Sequence, residues 1–323
     1  MIWAYKERVM RKISFALLAV FLLYPSVQAA DKIRIGLPAD AGHFTLPLAQ
    51  QRGILKEEGF DAELITITGS VANIALANGD IDYYTGFGSA MRAMLQGQLP
   101  TRIVVCYRPS PHFVLLGRPE LKSVQDLKGK IIGALPGSAP DLVARLMLRH
   151  FGLDPDKDVR FVSGSNETAF ARMKQGLMDA TSTPVPGDYR GGKMGFNVLA
   201  RAEDLFTYPI SGVVAQSKKI KEKPDEVKRL IRAGIKANRY MHANRDGTIP
   251  LLMSTYKLDN DAAAALYDSF VKGFNQDGNL PLDGLRRLIE DTKSVIKVDR
   301  EVVLSDITDL TILRQAQKEL GIK

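Results

Sequence analysis

The chain contains one pattern of predicted strands and helices twice, and this repeat restricts its fold more than any other feature. Residues 32–38 and 130–136 are similar apolar runs that end in proline. Each run is followed by a helix, a strand, a helix and the motif Gly-x-x-Asp, at Gly79–Asp82 and again 97 residues later at Gly176–Asp179. Strand–helix alternation with short loops is typical of a mostly parallel sheet covered by helices. We therefore predict an α/β protein with two similar doubly wound lobes, a chance likeness of two α/β segments being the alternative.

The predicted repeat ends near Pro209, and from Pro224 onward the sequence is almost entirely helical in pattern. A chain of 323 residues is long enough for two lobes of ordinary size. We expect residues 30–117 together with 213–323 to form lobe I, and residues 118–212 to form lobe II. A hinge would join the lobes, and a helical C-terminal segment would belong to lobe I.

The N-terminus has the pattern of a secretory signal peptide. A basic region at residues 6–12 precedes a 12-residue apolar run, Ile13–Tyr24, and small residues at Val27 and Ala29 suit cleavage after Ala29. An uncleaved anchor helix is the alternative, but the run is shorter than the roughly 20 apolar residues that span a bilayer. Since no cysteine follows the run, lipid attachment is not expected. Segment 1–29 therefore predicts a periplasmic protein that is not a lipoprotein.

The overall charge gives little support to a nucleic-acid partner. The whole chain has a net charge of +8 and a pI near 9.4. Residues 1–29 contain four basic side chains and one acidic one, so the remainder is only mildly basic at +5. Aromatic residues make up 7% of the chain, which leaves few base-stacking platforms. We expect no nucleic-acid partner.

Sequence signals for catalysis, metals and cofactors are missing. The single cysteine, Cys106, rules out an intramolecular disulfide framework and lies in an apolar strand, which predicts a buried thiol more than a nucleophile. The four histidines are not at metal-ligand spacing. No phosphate-binding loop, dinucleotide fingerprint or metalloprotease motif occurs. We expect no metal, no cofactor and no enzyme activity.

Gly-Ser pairs that follow predicted strands and precede helices include Gly69-Ser70, Gly88-Ser89 and Gly137-Ser138. In a parallel sheet such loops meet at one edge, where ligands bind. Each pair offers backbone N–H groups, a hydroxyl and the positive end of a helix dipole, which together suit an anionic or strongly polar group. Ordinary helix capping is the alternative for each pair.

Other candidate contacts stand at predicted strand ends. Arg108 suits a carboxylate or sulfonate, although a surface arginine fits the sequence equally well. His43 and His112 lie in loops where they could contact a ligand or only be exposed. Asp188 could pair with a ligand amine or with Arg190.

Several stretches resemble one known family. They are residues 47–55, 58–64, 77–82, 123–130 and 213–215, together with Gly137-Ser138 and Pro224. They resemble the nitrate/sulfonate/taurine-like (NMT1/THI5-like) branch of the type II periplasmic solute-binding proteins that serve ABC importers. The resemblance covers the whole chain after residue 29 and says little about the ligand.

The resemblance implies a cleft between the lobes that closes on a small solute by hinge bending. Carried over by position, the ligand contacts would be His43, Phe44, Thr45, Gly69, Ser70, Gly88, Ser89, Gly137, Ser138, Ala139 and Thr183, to which the local pattern adds Arg108, Asp141 and Asp188. Residues 139–141 depart from the relatives' pattern. Because Asp141 is acidic, the sequence gives weaker support to a purely anionic ligand. The expected ligand is a sulfonate, a carboxylate, or an amino-acid-like or pyrimidine-like molecule. The expected partner is an ABC permease of the inner membrane, with the protein itself a monomer.

Two other functions fit the same lobes. The eukaryotic thiamine-pyrimidine synthases share this architecture, but they carry a cysteine-rich motif that a single cysteine does not supply. A ligand-binding partner of a membrane sensor would have the same sequence features as a transport protein.

Overall fold

The computed structural model describes residues 30–67, 69–135, 138–163 and 166–322. The predicted signal segment 1–29 and Gly137 lie outside this range. The ten strands of the described residues are β1 (Asp31–Leu37), β2 (Phe60–Thr66), β3 (Tyr83–Gly86), β4 (Thr101–Arg108), β5 (Phe113–Gly117), β6 (Ile131–Gly133), β7 (Arg160–Val162), β8 (Ala180–Pro184), β9 (Asn197–Arg201) and β10 (Ser211–Gln216).

Up to β10 the α-helices of the same residues lie between strands, singly or as a pair, and after β10 they follow one another. They are α1 (Thr45–Gln51), α2 (Ile54–Glu57), α3 (Gly69–Asn78), α4 (Phe87–Leu95), α5 (Ala139–His150), α6 (Asn166–Lys174), α7 (Gly187–Lys193), α8 (Ser217–Glu222), α9 (Pro224–Ala243), α10 (Arg245–Tyr256), α11 (Asn260–Gly273), α12 (Leu282–Ile296) and α13 (Thr311–Glu319).

The strands form two sheets with the same layout, which confirms the predicted pair of similar lobes. The first sheet has the order β2-β1-β3-β10-β4 and the second the order β7-β6-β8-β5-β9. In each, three parallel strands come from one repeat and the fourth strand is antiparallel to both of its neighbours. The sheets are therefore parallel only in part.

The repeated Gly-x-x-Asp motif has the same structural role in both lobes. A carboxylate oxygen of Asp82 accepts the Arg34 N–H at 2.7 Å, and one of Asp179 accepts the Ile131 N–H at 2.9 Å. Gly79 and Gly176 both have positive φ, at 79° and 75°, a conformation that favours glycine. The motif thus ends a helix and fixes the next strand beside the first strand of its own sheet.

The first sheet is covered on both faces, as expected of a doubly wound lobe. Tyr83 belongs to one apolar cluster and Tyr84 to another, and Val105 and Cys106 divide in the same way. Successive residues of a strand point to opposite faces, so each strand supplies both clusters. Helices α9 and α11 cover one face, and α4 and α12 cover the other.

The chain passes between the sheets twice, at residues 109–112 and at 202–210. The expected lobe boundaries differ from these crossings by a few residues. Strand β5 was expected in lobe I, but it is hydrogen-bonded to β8 and β9 in the second sheet. Strand β10 starts at Ser211 in the first sheet, two residues before the expected return to lobe I. The strand that follows each crossing lies between two other strands of the sheet it joins.

Candidate functional site

A cleft of about 700 Å³ opens between the two sheets at the ends of β1, β3 and β6. Loops from both sheets, both crossings and helix α12 line it. The lining residues are Pro38, Asp40, His43, Gly69, Tyr84, Gly86, Phe87, Gly88, Ser89, Arg92, His112, Phe113, Ser138, Ala139, Pro140, Asp141, Leu142, Arg145, Pro184, Tyr208, Pro209, Ile210, Leu288, Asp291, Thr292 and Val295. A cavity of this size between two lobes is a typical site for a small ligand.

The floor of the cleft, a term used here for Asp40, His43 and His112, combines one carboxylate with two imidazoles. The Asp40 carboxylate lies 3.7 Å from His43 Nε2 and 3.4 Å from His112 Nε2. His43 Nδ1 is 3.0 Å from the Thr85 hydroxyl. Both imidazoles are almost fully buried, whereas the Asp40 side chain is 47% exposed. The carboxylate is therefore the part of the floor that reaches the open cleft.

A short turn after β1 holds this floor in place. Asp40 begins a 3-10 helix and accepts the Gly42 N–H at 2.8 Å. The Ser211 hydroxyl donates to the Gly42 carbonyl at 2.7 Å, which ties the turn to β10. A Cβ on Gly42 would lie 2.7 Å from His112 Cε1. Glycine is therefore needed here for the His112 ring to lie against the turn.

The electrostatic surroundings keep both histidines neutral. Burial lowers the pKa of His112 to about 3, with the nearby Arg108 acting in the same direction and Asp40 opposing it. Burial also lowers the pKa of His43. For Asp40, burial alone would raise the pKa, but the histidines, the Gly42 N–H and Arg108 bring it below its usual value. Near neutral pH the floor therefore carries one negative charge.

We expect His112 to make the folded protein lose stability as the pH falls. Because its folded pKa is below the unfolded value of about 6.5, only the unfolded chain takes up a proton at this site between pH 6.5 and pH 3. From pH 7 to pH 5, the wild type should lose about 2 kcal/mol more unfolding free energy than His112→Gln. Urea denaturation at both pH values measures this difference. The exposed His150→Gln is the control, and equal pH slopes for the wild type and His112→Gln would contradict the prediction.

The first-lobe wall is formed by the end of β3 and the first turn of α4. The Ser89 hydroxyl donates to the Tyr84 hydroxyl at 3.1 Å. Burial raises the pKa of Tyr84, so this side chain is neutral. Arg92 follows one turn later on α4, is exposed, and has no ion pair with any of the described residues. This wall offers hydroxyls, an aromatic ring and one guanidinium.

The second-lobe wall is formed by the first two turns of α5. Ser138 caps this helix, and its hydroxyl accepts the Asp141 N–H at 3.5 Å. Arg145 donates to Asp141 at 3.0 Å and to Asp156 at 2.6 Å. The charge of Arg145 is therefore already matched by two carboxylates of its own lobe.

Helix α12 of the C-terminal segment closes a further side of the cleft through Leu288, Asp291, Thr292 and Val295. One carboxylate oxygen of Asp291, Oδ2, is buried and has no hydrogen-bond partner among the described residues. Burial raises the pKa of this carboxyl group. The sequence did not point to this helix, because the amphipathic pattern of α12 is the same for a cleft wall as for any packed helix.

A family model described as NMT1/THI5 like matches residues 40–247, well over half of the chain. The chain belongs to the NMT1/THI5-like family. The expectation from the matching sequence stretches is thereby confirmed. The match includes the floor and both lobe walls but ends before α12.

Among proteins of known sequence, this family member is similar to one from Brucella abortus named "Putative binding protein". The two are 28% identical over 261 residues, which cover 77% of this chain and 80% of the relative. It is also 27% identical over 208 residues to a protein of Haemophilus influenzae named "Putative thiamine biosynthesis protein", covering 63% of this chain and 64% of that one.

Solved structures show the same fold at low sequence identity. The sulfonate-binding protein SsuA of Methylobacillus flagellatus has a TM-score of 0.78 at 17% identity, covering 92% of this chain and 97% of SsuA. The nitrate-binding protein NrtA of Synechocystis has a TM-score of 0.69 at 14% identity, covering 92% and 91%. The desulfurization enzyme DszB has a TM-score of 0.63 at 18% identity, covering 90% and 99%. The type II periplasmic binding-protein fold is thus confirmed for this NMT1/THI5-like chain.

Half of the predicted site residues lie at the cleft of this NMT1/THI5-like protein. They are His43, Gly69, Gly88, Ser89, Ser138, Ala139 and Asp141. Their contact with a ligand stays a prediction. Gly69-Ser70 and Gly88-Ser89 lie within the first turns of α3 and α4 and do not precede them as caps, so only the Ser138 side chain has the predicted capping role.

Other predicted residues lie behind the cleft lining. Phe44 is fully buried and packs against Tyr256 and Phe270. The Thr45 hydroxyl donates to the Asn238 side chain at 2.8 Å. These two side chains support the turn that holds the floor. Phe44 packs among aromatic rings and Thr45 is hydrogen-bonded, both within lobe I.

Three further predictions are corrected by side-chain packing. Ser70 is exposed and outside the lining, and Thr183 is buried in β8 against Gly187. Asp188 pairs with Arg201 at 2.5 Å and not with Arg190. Sequence proximity to a strand end placed all three near the cleft, but their side chains point elsewhere.

Arg108 is neither a ligand-facing guanidinium nor a surface arginine. It is fully buried beneath the floor, with its Nε donating to the Ser110 carbonyl at 3.1 Å. Its NH2 group lies 3.6 Å from the buried carboxylate of Glu203, and its guanidinium carbon lies 4.5 Å from the centre of the Phe274 ring. Arg108 therefore connects the two crossings, because it begins one and Glu203 lies in the other.

Clusters of metal-ligating side chains and membrane-spanning helices are both absent from the part of the chain that the structure describes. In these ranges no three or more His, Cys, Asp or Glu residues are grouped so that they could hold a metal ion. None of the helices that the structure describes is both long and apolar enough to cross a membrane. The thiol of Cys106 is buried in β4 between apolar side chains, and burial raises its pKa well above the usual value.

Proposed function

We propose that this protein is an extracytoplasmic solute-binding protein that captures a small organic molecule between its lobes and delivers it to an ABC importer. The observation that carries the proposal is the cleft of about 700 Å³ that both sheets and both crossings line together. Such a site is complete only when the two lobes are held at one angle. The names of the solved neighbours, which are sulfonate- and nitrate-binding proteins, support the same function.

Hinge bending at the two crossings would couple ligand binding to the shape of the protein. A solute that contacts both walls stabilises the conformation in which both walls reach it, and the population shifts by its differential affinity. Contacts away from the cleft also join the lobes, including the Tyr189 hydroxyl with Asp261 at 3.3 Å and the Ser269 hydroxyl with Glu203 at 2.8 Å. A permease would then distinguish the loaded protein by the relative position of its lobes.

We expect a matching solute to raise the melting temperature without being converted. A ligand present at about 100 times its Kd adds about 2.7 kcal/mol of unfolding free energy. The purified chain lacking residues 1–29 would be screened by differential scanning fluorimetry against sulfonates, carboxylates, amino acids and pyrimidines. Mass spectrometry of each solute after incubation tests for turnover.

A matched pair of variants tests whether the solute binds in this cleft. Ala139→Trp places an indole at the first turn of α5, among the cleft-lining residues, and should abolish the thermal shift. Ala77→Trp makes the same change at an exposed helical position outside the lining, and should bind normally. Equal binding by the two variants would move the site elsewhere.

The same screen separates the other functions. A solute that disappears while a product forms would favour an enzyme, the activity of the DszB neighbour, and would overturn the binding-protein proposal. A solute that binds without turnover leaves transport and sensing as alternatives. Reconstituted ATPase activity of a cognate importer, stimulated by the loaded protein, supports transport, and its absence together with binding to a membrane receptor supports sensing.

A further inference from the structure

We propose that the floor of the cleft binds a hydrogen-bond-donating head group, which is a primary amine, an amidine or an amino-substituted ring, and that Asp40 selects for it. This inference rests on the proposed solute-binding function and narrows its ligand class. It sets this protein apart from neighbours whose names specify sulfonate or nitrate.

The first observation is an unsatisfied imidazole at the floor. His112 is only 3% exposed and lines the cleft, yet neither ring nitrogen has a hydrogen-bond partner among the described residues. Its Nε2 lies 3.4 Å from Asp40 but without hydrogen-bond geometry. Burying an unpaired polar group destabilises a protein, so native structures rarely leave one without a ligand or water to satisfy it. A polar group of a bound ligand would therefore supply the hydrogen bonds that the His112 ring nitrogens lack.

The second observation is the placement of Asp40 between the two imidazoles. Its two carboxylate oxygens face the imidazoles of His43 and His112, whose pKa values burial lowers, and Arg108, the cation that also acts on Asp40, lies fully buried beneath the floor. A carboxylate accepts hydrogen bonds and donates none. A sulfonate or nitrate placed here would present acceptors to an acceptor, whereas an amine or amidine would donate to it and form a charge-assisted bond.

The third observation concerns the nearby arginines. Arg108 is fully buried beneath the floor and outside the cleft lining, where its NH2 group lies 3.6 Å from Glu203 although neither amino group has a hydrogen-bond partner among the described residues. Arg145 pairs with Asp141 and Asp156. Arg92 is the arginine of the cleft lining without an ion pair among the described residues, and it belongs to α4 on the first-lobe wall. An anionic group on the ligand would therefore be accommodated at Arg92, away from the floor.

The rest of the lining indicates an apolar body for the same ligand. Phe87, Phe113, Leu142, Leu288 and Val295 contribute large apolar side chains. Asp291, on α12, provides a second carboxylate, whose Oδ2 has no hydrogen-bond partner among the described residues. The class that fits is a small molecule with an apolar or aromatic body and a donor-bearing end.

The experiment compares solutes that differ only in the donor group. Calorimetry would use 4-aminobenzoate against benzoate, and 2-aminoethanesulfonate against ethanesulfonate. We expect the donor-bearing member of at least one pair to bind the wild type about tenfold or more tightly. Asp40→Asn should reduce that preference to less than about threefold, and Asp61→Asn, an exposed carboxylate on β2, should leave it unchanged.

Each outcome has a separate meaning. If the acids without a donor bind as tightly as their amino counterparts, the inference is wrong while the solute-binding function stands. If Asp291→Asn removes the preference and Asp40→Asn does not, the donor group binds at α12 and the assignment to the floor is wrong. If Asp40→Asn does not fold, the comparison of paired solutes on the wild type decides alone. If no solute from any screen binds, the proposed function fails first.

Discussion

Arg108→Met should lower the unfolding free energy by about 3 to 5 kcal/mol, the cost of leaving one partner of a buried ion pair uncompensated. Arg108 is fully buried and the Glu203 side chain is 3% exposed, so the remaining carboxylate would lose its ion-pair partner and keep the Ser269 hydroxyl as a hydrogen-bond donor. The guanidinium also stacks near Phe270 and Phe274, with distances of 5.4 and 4.5 Å to the ring centres. Urea denaturation at pH 7 measures the loss.

Two comparisons show whether the unpaired charge causes that loss. Arg102→Met removes an arginine from the same strand, but there the side chain lies at the surface and donates to the Ser305 carbonyl, so a change below about 1 kcal/mol is expected. Adding Glu203→Gln to Arg108→Met should recover part of the stability, because the stranded charge is removed. No recovery in the double variant would argue that lost packing dominates.

The pH dependence of the Arg108→Met deficit has a definite sign. Burial already raises the pKa of Glu203 in the intact protein, and removing Arg108 removes its strongest opposing charge. A carboxyl group whose folded pKa exceeds its unfolded value of about 4.3 binds more protons when folded, so its destabilisation diminishes as the pH falls. The difference between variant and wild type should therefore be smaller at pH 5 than at pH 7. A constant difference would contradict the role assigned to Glu203.

The two lobes could be predicted from the sequence because the motifs that indicate them are local. Glycine ends a helix, the carboxylate three residues later fixes the next strand, and both features occur at Gly79–Asp82 and Gly176–Asp179. The alternation of apolar runs then implies sheets covered by helices. The expected boundary at residue 117 assigned β5 to the wrong sheet. Which sheet a strand joins depends on long-range pairing that its own residues do not encode.

The site was predictable where it depends on strand ends and not where it depends on side-chain direction. Loops after β1, β3 and β6 line the cleft as expected, since they lie at one edge of their sheets. Thr183 near the end of β8 and Asp188 shortly after it are equally close to a strand end, but neither lines the cleft. Asp40 and Asp291 were missed because an acidic residue in a loop or on an amphipathic helix is ordinarily just exposed. Their significance comes from His112 and from the unpartnered Oδ2 atom, both of which are visible only in three dimensions.

The middle of the first sheet depends on a glycine, and Gly212→Ala should destabilise the protein by about 3 kcal/mol or more. Strand β10 lies between β3 and β4, and a Cβ at residue 212 would be 1.9 Å from the Val105 carbonyl oxygen and 2.9 Å from Cys106 Cα. Both neighbours are backbone atoms of β4, so a side-chain rotation does not relieve the clash and the strands must separate. Urea denaturation and the yield of refolded protein measure the effect.

The same substitution should also weaken ligand binding, because the residue before Gly212 holds the floor. The Ser211 hydroxyl donates to the Gly42 carbonyl, and Gly42 in turn supports Asp40 and His112. A displaced β10 would move this turn relative to the second sheet. Gly192→Ala is the matched control, since that glycine is exposed in α7 with no atom within 4 Å of a new Cβ, and a gain of about 0.5 to 1 kcal/mol is expected there. A Gly212→Ala protein that keeps wild-type stability and affinity would show that β10 can shift independently of the floor.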